Sequence, residues 1–202
     1  MFLRQLAFDG EWLSEPSNDC LEPCPTKSLA SLPPYATALY LLRQYIAKTH
    51  VWWPLLHLPT LRQDLKDVYQ NPRKCTDAQK FTAFAVFALS SAESQGESVY
   101  GQLLDLNEPS AYFRTSLRYM DSLYDHPKHV FRVQALLLLG IWMLDSKDSG
   151  DCNDLWHLSR YAMSAAIQAG LHRHNASWKF STEDLEIRNR TWWCTYNLER
   201  QA

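Results

Sequence analysis

From Val133 to Trp142 the chain carries one polar side chain, Gln134, in an otherwise apolar run. Read with its flanks as a helix from about Val130 to Leu144, this segment is apolar almost all the way round and leaves no face for water. It is therefore expected at the centre of the domain. Its longest apolar stretch, Ala135 to Leu144, is about half of the roughly 20 residues that a bilayer-spanning helix needs. The segment calls for a coat of protein, not of lipid.

Other helices can be read around it. Leu39, Leu42, Tyr45 and Ile46 recur at helical spacing and predict an amphipathic helix from Tyr35 to about Lys48. An irregular, proline-bounded segment follows, from Trp52-Trp53-Pro54 to Pro59. Thr60-x-x-Gln63 and Thr76-x-x-Gln79 both fit a capping box, in which hydroxyl and amide satisfy orphan backbone donors. The first box would open a helix buried through Leu61, Leu65 and Val68, the second one buried through Phe81, Phe84, Ala85, Ala88 and Leu89. Ser110 is expected to cap a helix with Tyr112, Phe113, Leu117, Met120 and Leu123 facing inward. The alanine-rich stretch Leu155 to Ala169 stops at Gly170, the residue type favoured just past a helix end. Ser181 or Thr182, followed by Glu183, Asp184 and Glu186, opens the last helix.

No segment alternates at period two, and six glycines are few for a turn-dense β design. The fold class is all-α, a multi-helix domain over residues 35–202. Residues 1–34 read as a linker, punctuated by Pro16, Pro23, Pro25, Pro33 and Pro34. No repeat of about 34 or 40 residues is evident, which argues against a helical solenoid.

A length of 202 residues suits one domain or most of a larger one. With 46% hydrophobic residues, including eight Trp, eight Phe and ten Tyr, the chain can build a sizeable core. Its formal charge is -2 and its pI near 6.4, whereas an unaided nucleic-acid binder carries a basic face and a high pI. The five cysteines form an odd, scattered set, the pattern of reduced intracellular thiols. Gln5, Asp9 and Glu11 interrupt any apolar run of the kind that opens a signal peptide.

Each candidate for chemistry has a plainer reading. Cys20-x-x-x-Cys24 is a close cysteine pair, but a structural zinc site needs four ligands and Cys75, Cys152 and Cys194 lie far off in sequence. His172-Arg173-His174 could suggest a metal pair, yet helical residues two apart do not share a face, and cations just past a helix end complement its dipole. Asp145, Asp148, Asp151 and Asp154 recur every third position and would line one helix face. Ser146, Ser149, Gly150 and Asn153 instead mark a loop, and the order of an EF-hand is missing. No nucleophile elbow, dinucleotide turn or phosphate-cradling Gly-Lys loop is present. His50 and His57 flank the proline-rich segment and are expected to hydrogen-bond within the fold. Trp192 and Trp193 diverge by about 100° on a helix and are expected to pack against different neighbours. Glu186 and Arg190 form an i,i+4 pair, and Arg188, Arg190 and Arg200 make no basic strip because Glu183, Asp184, Glu186 and Glu199 offset them.

Three groups of residues gain meaning from their order. First comes Tyr45-Ile46-x-x-x-His50-x-Trp52-Trp53-Pro54-Leu55-Leu56-His57-x-Pro59-Thr60-Leu61. Then Trp156 leads through Ala162 and Ala166 to Gly170-Leu171-His172-Arg173. Last is Glu186-x-Arg188-x-Arg190-x-Trp192-Trp193-x-x-Tyr196-x-x-Glu199-Arg200. Over about residues 38–202 this succession resembles the fungal-specific transcription factor domain, the middle regulatory region of zinc-cluster transcription regulators. Leu61 stands where Phe is typical, Arg160 where a small residue is common, Ser164 where Arg is common, Asn189 for a usual Arg, and Glu199 for Asp.

The resemblance implies a nuclear, non-catalytic helical domain that modulates RNA polymerase II transcription, by sensing a metabolite or by holding the protein inactive. Protein partners or a homodimer, and a small-molecule effector, are its implied partners. No cofactor is expected on this chain: the family's DNA-binding unit is a basic six-cysteine cluster holding two zinc ions, and Cys20-Leu21-Glu22-Pro23-Cys24 lacks its spacing and charge. DNA contact is expected only through such a cluster. Family domains continue beyond the Trp-Trp helix, so residues 35–202 are expected to be a partial domain, with Trp192, Trp193, Tyr196 and Leu198 incompletely covered. Two other readings stay open: a stand-alone interaction module or defective remnant, and an all-α metal-dependent enzyme using Asp145, Asp148 and Asp151.

Overall fold

The computed structural model describes residues 29–93, 98–99, 102–103, 107–120, 129–145, 152–173 and 179–202. Its helices, in chain order, are α1 (Tyr35–Ala47), the single turn α2 (Thr49–Trp52), α3 (Leu58–Gln70), α4 (Asp77–Glu93), α5 (Pro109–Leu117), α6 (His129–Asp145), α7 (Cys152–Gln168) and α8 (Thr182–Gln201). Between α4 and α5 lies a ladder that the sequence did not announce: Ser98–Val99 (β1) pairs antiparallel with Gln102–Leu103 (β2), Ser98 opposite Leu103. Two residues per strand build no sheet face, and the fold is all-α.

Two helices, not one, organise the core. The expected centre, α6, is buried continuously from Val133 to Trp142 and packs against α4, α7 and α8. The second centre is α4, which packs against α1, α3, α5 and α6 and is buried without a break from Phe81 to Ser91. Its sequence looked amphipathic because Thr82, Ser90 and Ser91 interrupt the apolar run. Their hydroxyls instead turn back on their own helix, donating to the carbonyls of Ala78 (3.0 Å), Val86 (2.6 Å) and Ala88 (3.1 Å). A hydroxyl satisfied within its own helix can face a dry core. Aromatic rings then tie α5 to both centres. Phe87 meets Tyr112 edge-on at 5.8 Å, and Phe113 stacks on Trp142 of α6 at 4.9 Å.

Gly140 decides how closely α6 and α8 approach. A Cβ at that position would lie 2.5 Å from Cδ2 of Leu198, a side chain with no exposed surface. The glycine, unfavourable inside a helix by about 1 kcal/mol, makes room for that leucine.

Helix starts test the capping readings one by one. The Thr76 box is present: Thr76 N–H donates to Gln79 Oε1 (2.8 Å) and Gln79 N–H to Thr76 Oγ1 (3.3 Å). The Thr60–Gln63 box is not. There the helix already begins at Leu58, Thr60 pairs with His57 Nδ1 (2.7 Å), and Gln63 donates to Asp67 (3.1 Å). Ser110 is likewise no cap, because α5 starts at Pro109. Both corrections have one cause: Pro59 and Pro109 lack an N–H and hold a helical φ, so each belongs in the first turn and places the helix start before the expected cap residue. The expected continuation of α5 to Leu123 also fails. After Leu117 the amides of Arg118, Tyr119 and Met120 bond three residues back, a tightened end, and Leu123 lies outside the described residues.

Ser181 does cap α8, accepting from Asp184 N–H at 3.0 Å. Residues 29–34 have no regular structure, yet Ala30 is buried and its N–H donates to Thr115 Oγ1 of α5 (2.9 Å). Among the described residues no helix is long and apolar enough to cross a membrane.

Candidate functional site

The motif residues converge at the turn between α7 and α8. Gly170 adopts φ 65°, Leu171 N–H reaches Ala166 O (3.0 Å) and Gly170 N–H reaches Ile167 O (2.9 Å). This is a Schellman end, which needs a left-handed residue and so a glycine. Leu171 is buried beneath it. The Gly170 carbonyl accepts from Arg173 N–H (3.2 Å), and Arg188 of α8 reaches the carbonyls of both Ala169 and Gly170, donating from one terminal nitrogen at 3.1 and 3.0 Å. Its guanidinium lies over the Phe180 ring at 4.5 Å. Burial holds Arg188 below the usual guanidinium range, with Asp184 pulling the other way. It stays a cation at the negative end of α7, where positive charge is favoured.

A second lock joins the proline-rich segment to the same helix. Leu55 N–H donates to Trp53 O (2.8 Å), a tight turn centred on Pro54 that sends Leu55 into the core. The Leu55 carbonyl then accepts from Gln134 Nε2 of α6 at 2.6 Å. Gln134 also lies 3.4 Å from Thr191 Oγ1 on α8. His57, at the N-cap of α3, reaches Glu183 at the start of α8 through Nε2 (2.8 Å) while Nδ1 faces Thr60. Pro59 occupies the first turn of α3.

Between these locks lies a cavity of about 820 Å³. Leu56, Leu61, Val130, Phe131 and Ile187 contribute apolar wall, and His129, Gln168, Arg173, Asp184 and Arg188 contribute polar groups. Asp64, Thr76 and Gln79 close one side, with Gln79 Nε2 donating to Asp64 at 2.8 Å.

Histidine positions differ from expectation in one case. His57 is hydrogen-bonded as the sequence reading required, but His50 is not: its Nδ1 is buried with no partner among the described residues, beside the Tyr45 ring at 6.0 Å. Burial lowers its pKa, and the nearby Arg190 adds to that. Close by, burial pushes the Cys194 thiol up to about 12 against the opposing pull of Arg190, and raises Tyr45 as well. Neither group is a nucleophile at neutral pH. His172, past the α7 end, is exposed, accepts from Arg173 Nε at 3.1 Å and faces the Trp192 ring at 5.7 Å.

The remaining motif residues face outward. Trp192 is half-buried against the His172 ring, whereas Trp193 is 60% exposed and meets Tyr196 edge-on, so the two rings take the different neighbours expected of them and Trp193 is incompletely covered. Adjacent helical positions cannot both face the one layer, α6 and α7, on which α8 rests. Leu198, expected to be incompletely covered, is fully buried. Trp156 is exposed beside Arg160, which pairs with Glu199 at 2.8 Å; Glu199 also approaches Arg200 at 3.5 Å. Glu186 and Arg190 form the expected pair at 2.7 Å.

Among the described residues no group of three or more His, Cys, Asp or Glu side chains could hold a metal ion. Asp145 ends α6 and Asp154 lies in the first turn of α7, whereas Asp148, Asp151, His174, Cys20 and Cys24 lie outside the described residues. Sequence reasoning missed Gln134, Gly140, Phe180 and Glu183 as contact makers. For the first two a signal existed: they are the one polar and the one side-chain-free position in the apolar run.

Comparison with known proteins agrees with the motif order. An uncharacterised transcriptional regulatory protein of Schizosaccharomyces pombe is 25% identical over 176 residues, covering 86% of this chain and 22% of that protein. The aurofusarin cluster transcription factor of Gibberella zeae is 24% identical over 183 residues, covering 88% of this chain and 27% of its own. The chain thus spans about a quarter of the length of these relatives. Pyrimidine pathway regulatory protein 1 of Saccharomyces cerevisiae matches over 97 residues at 24% identity, 48% of this chain and 10% of that one. No solved structure matches. The family model described as the fungal specific transcription factor domain matches residues 42–202, and the chain therefore belongs to that family of transcription regulators.

Proposed function

We propose that this chain is the non-catalytic regulatory domain of a transcription regulator, working in the nucleus on RNA polymerase II genes. The observation that carries the reading is the Arg188 lock. The residues of the family motif spend their polar groups on joining α7, α8 and the proline-rich segment around a cavity, not on assembling an acid, a base and a nucleophile. A net charge of -2 supports a helical body that leaves DNA contact to a zinc-cluster unit and carries no zinc itself. The domain takes a small-molecule effector in its cavity. Protein partners, or a second copy, use the exposed Trp156, Trp193 and Tyr196 surface, rich in the residue types that anchor interfaces.

The test is a tagged copy at the native locus, followed by microscopy, chromatin immunoprecipitation and transcript profiling, with and without Arg188→Ala. The expected result is nuclear signal, promoter occupancy and a changed set of transcripts in the variant. Cytoplasmic signal, with transcripts unmoved by deletion of the gene, would sink the proposal. Metal analysis of the purified chain is expected to find no stoichiometric zinc.

A further inference from the structure

We infer that Thr76 is a phosphorylation site for a Ser/Thr kinase that reads paired cations ahead of its acceptor, and that the phosphate releases the Gln79–Asp64 bridge between α3 and α4. Arg73-Lys74 is the one place in the 202 residues where two Lys or Arg side chains adjoin, and Thr76 follows them at three and two positions. Kinases choose among hydroxyls by such charge patterns, because carboxylates lining the substrate groove receive cations at fixed offsets from the acceptor. Arg73, Lys74 and Thr76 are all exposed. They lie on the connection between Gln70, the last residue of α3, and Asp77, the first of α4. The Asn71 carbonyl holds this connection as a turn, accepting from Lys74 N–H (2.9 Å) and Cys75 N–H (3.0 Å). An exposed turn held by so few bonds opens locally at little cost into the extended form that a substrate groove takes. Arg188 also stands three residues before a hydroxyl, that of Thr191, but Thr191 is buried within α8.

In the transfer Thr76 Oγ1 bonds to the γ-phosphorus of ATP as the bond to ADP breaks, and the hydroxyl proton passes to the kinase's carboxylate base. The phosphate then acts through Gln79. In the unmodified chain Gln79 Oε1 accepts from Thr76 N–H (2.8 Å) and from the Thr76 hydroxyl (3.3 Å). Gln79 Nε2 meanwhile donates to Asp64 (2.8 Å) across the α3–α4 seam. Phosphorylation removes the hydroxyl proton and sets acceptor-only oxygens, with a charge of about -1.5 to -2, against an amide oxygen that is itself an acceptor. The amide turns its Nε2 to the phosphate, and Asp64 loses that donor. The start of α4 keeps its cap, because an anion is favoured at the positive end of the helix. The seam is loosened on the side where Asp64, Thr76 and Gln79 line the cavity.

Phosphate and stability are read directly on the protein, so a failure here leaves the transcriptional role standing. The 202-residue chain is incubated with ATP and the catalytic subunit of cAMP-dependent protein kinase, and the product is mapped by peptide mass spectrometry. A cooperative melt by circular dichroism checks that each protein is folded. Thr76 is the expected main site, and Thr76→Ser, which keeps a hydroxyl, should still be modified. Replacing both cations, Arg73→Ala with Lys74→Ala, should slow incorporation about ten- to a hundredfold; Arg73→Gln alone serves if that variant does not fold. Phosphate should lower the melting midpoint by about 2–6 °C in the unaltered chain and by less in Gln79→Ala, which has no bridge to lose. A copy tagged at the native locus and purified from cells should yield the Thr76 phosphopeptide. Thr76 left unlabelled while a reporter peptide is labelled, labelling unmoved by loss of both cations, an equal midpoint shift in Gln79→Ala, or only unmodified peptide from cells in every growth condition would each overturn the inference.

Discussion

Replacing Arg188 by alanine is expected to loosen the junction on which the motif residues converge. The side chain donates to the Ala169 and Gly170 carbonyls at 3.1 and 3.0 Å and lies 4.5 Å from the Phe180 ring centre. A hydrogen bond to a charged group contributes about 1.5–3 kcal/mol when buried. Arg188 is only half-buried, so water can partly replace it, and about 1–1.5 kcal/mol per bond is the fitting value here. Stacking on Phe180 adds about 0.5–1 kcal/mol. The loss should therefore be about 2.5–4 kcal/mol, a fall in melting temperature of about 5–15 °C for a domain of this size. Arg188→Lys keeps the charge at the helix end but has no planar fork, and should recover about half of that loss. Thermal and urea unfolding followed by circular dichroism measure both. If Arg188→Ala melts within about 1 °C of the unaltered chain, water serves these carbonyls as well as the guanidinium does, and the lock is not a lock.

Gly140→Ala should destabilise by about 1–2 kcal/mol, although alanine is the better helix former, because its Cβ meets Leu198 Cδ2 at 2.5 Å. In a Leu198→Ala background the same change should be neutral or stabilising; a stabilising effect in the unaltered chain would show that the helices do not touch there. Leu137 has no exposed surface, so Leu137→Asp buries an unpaired charge and should abolish cooperative unfolding, and an unchanged midpoint would make α6 peripheral. His50 has a folded pKa below its ordinary value of 6.5, so the unfolded chain binds the proton more readily. Its contribution is whole above pH 6.5 and is lost as the pH falls below that value. Melting temperatures between pH 7.5 and 5 should fall less steeply in His50→Gln, and parallel curves would remove His50 from the account.

How much of this was legible in the chain depends on the range of the interaction. Helix identity, the Thr76 box, the Ser181 cap and the Gly170 end are decided within a few residues, by periodicity, hydroxyl reach and the one residue type that enters left-handed backbone freely. These were read correctly, and so was the burial of Val133 to Trp142. Two caps were misplaced for an equally local reason, the preference of Pro59 and Pro109 for the first turn.

What the sequence could not announce is which faces meet. Thr82, Ser90 and Ser91 count as polar in any window, and only their bonds to their own helix show that α4 is a second buried centre. Trp192 and Trp193 are chemically identical neighbours, and the single layer beneath α8 half-buries one while leaving the other in solvent. Arg188 and the Gly170 turn stand 18 residues apart and read as separate motifs. They become one site because the chain doubles back after α7 and lays a guanidinium on two carbonyls of the turn. Local chemistry is written in the order of residues; the pairing of leftover donors with leftover acceptors exists only once the helices have packed.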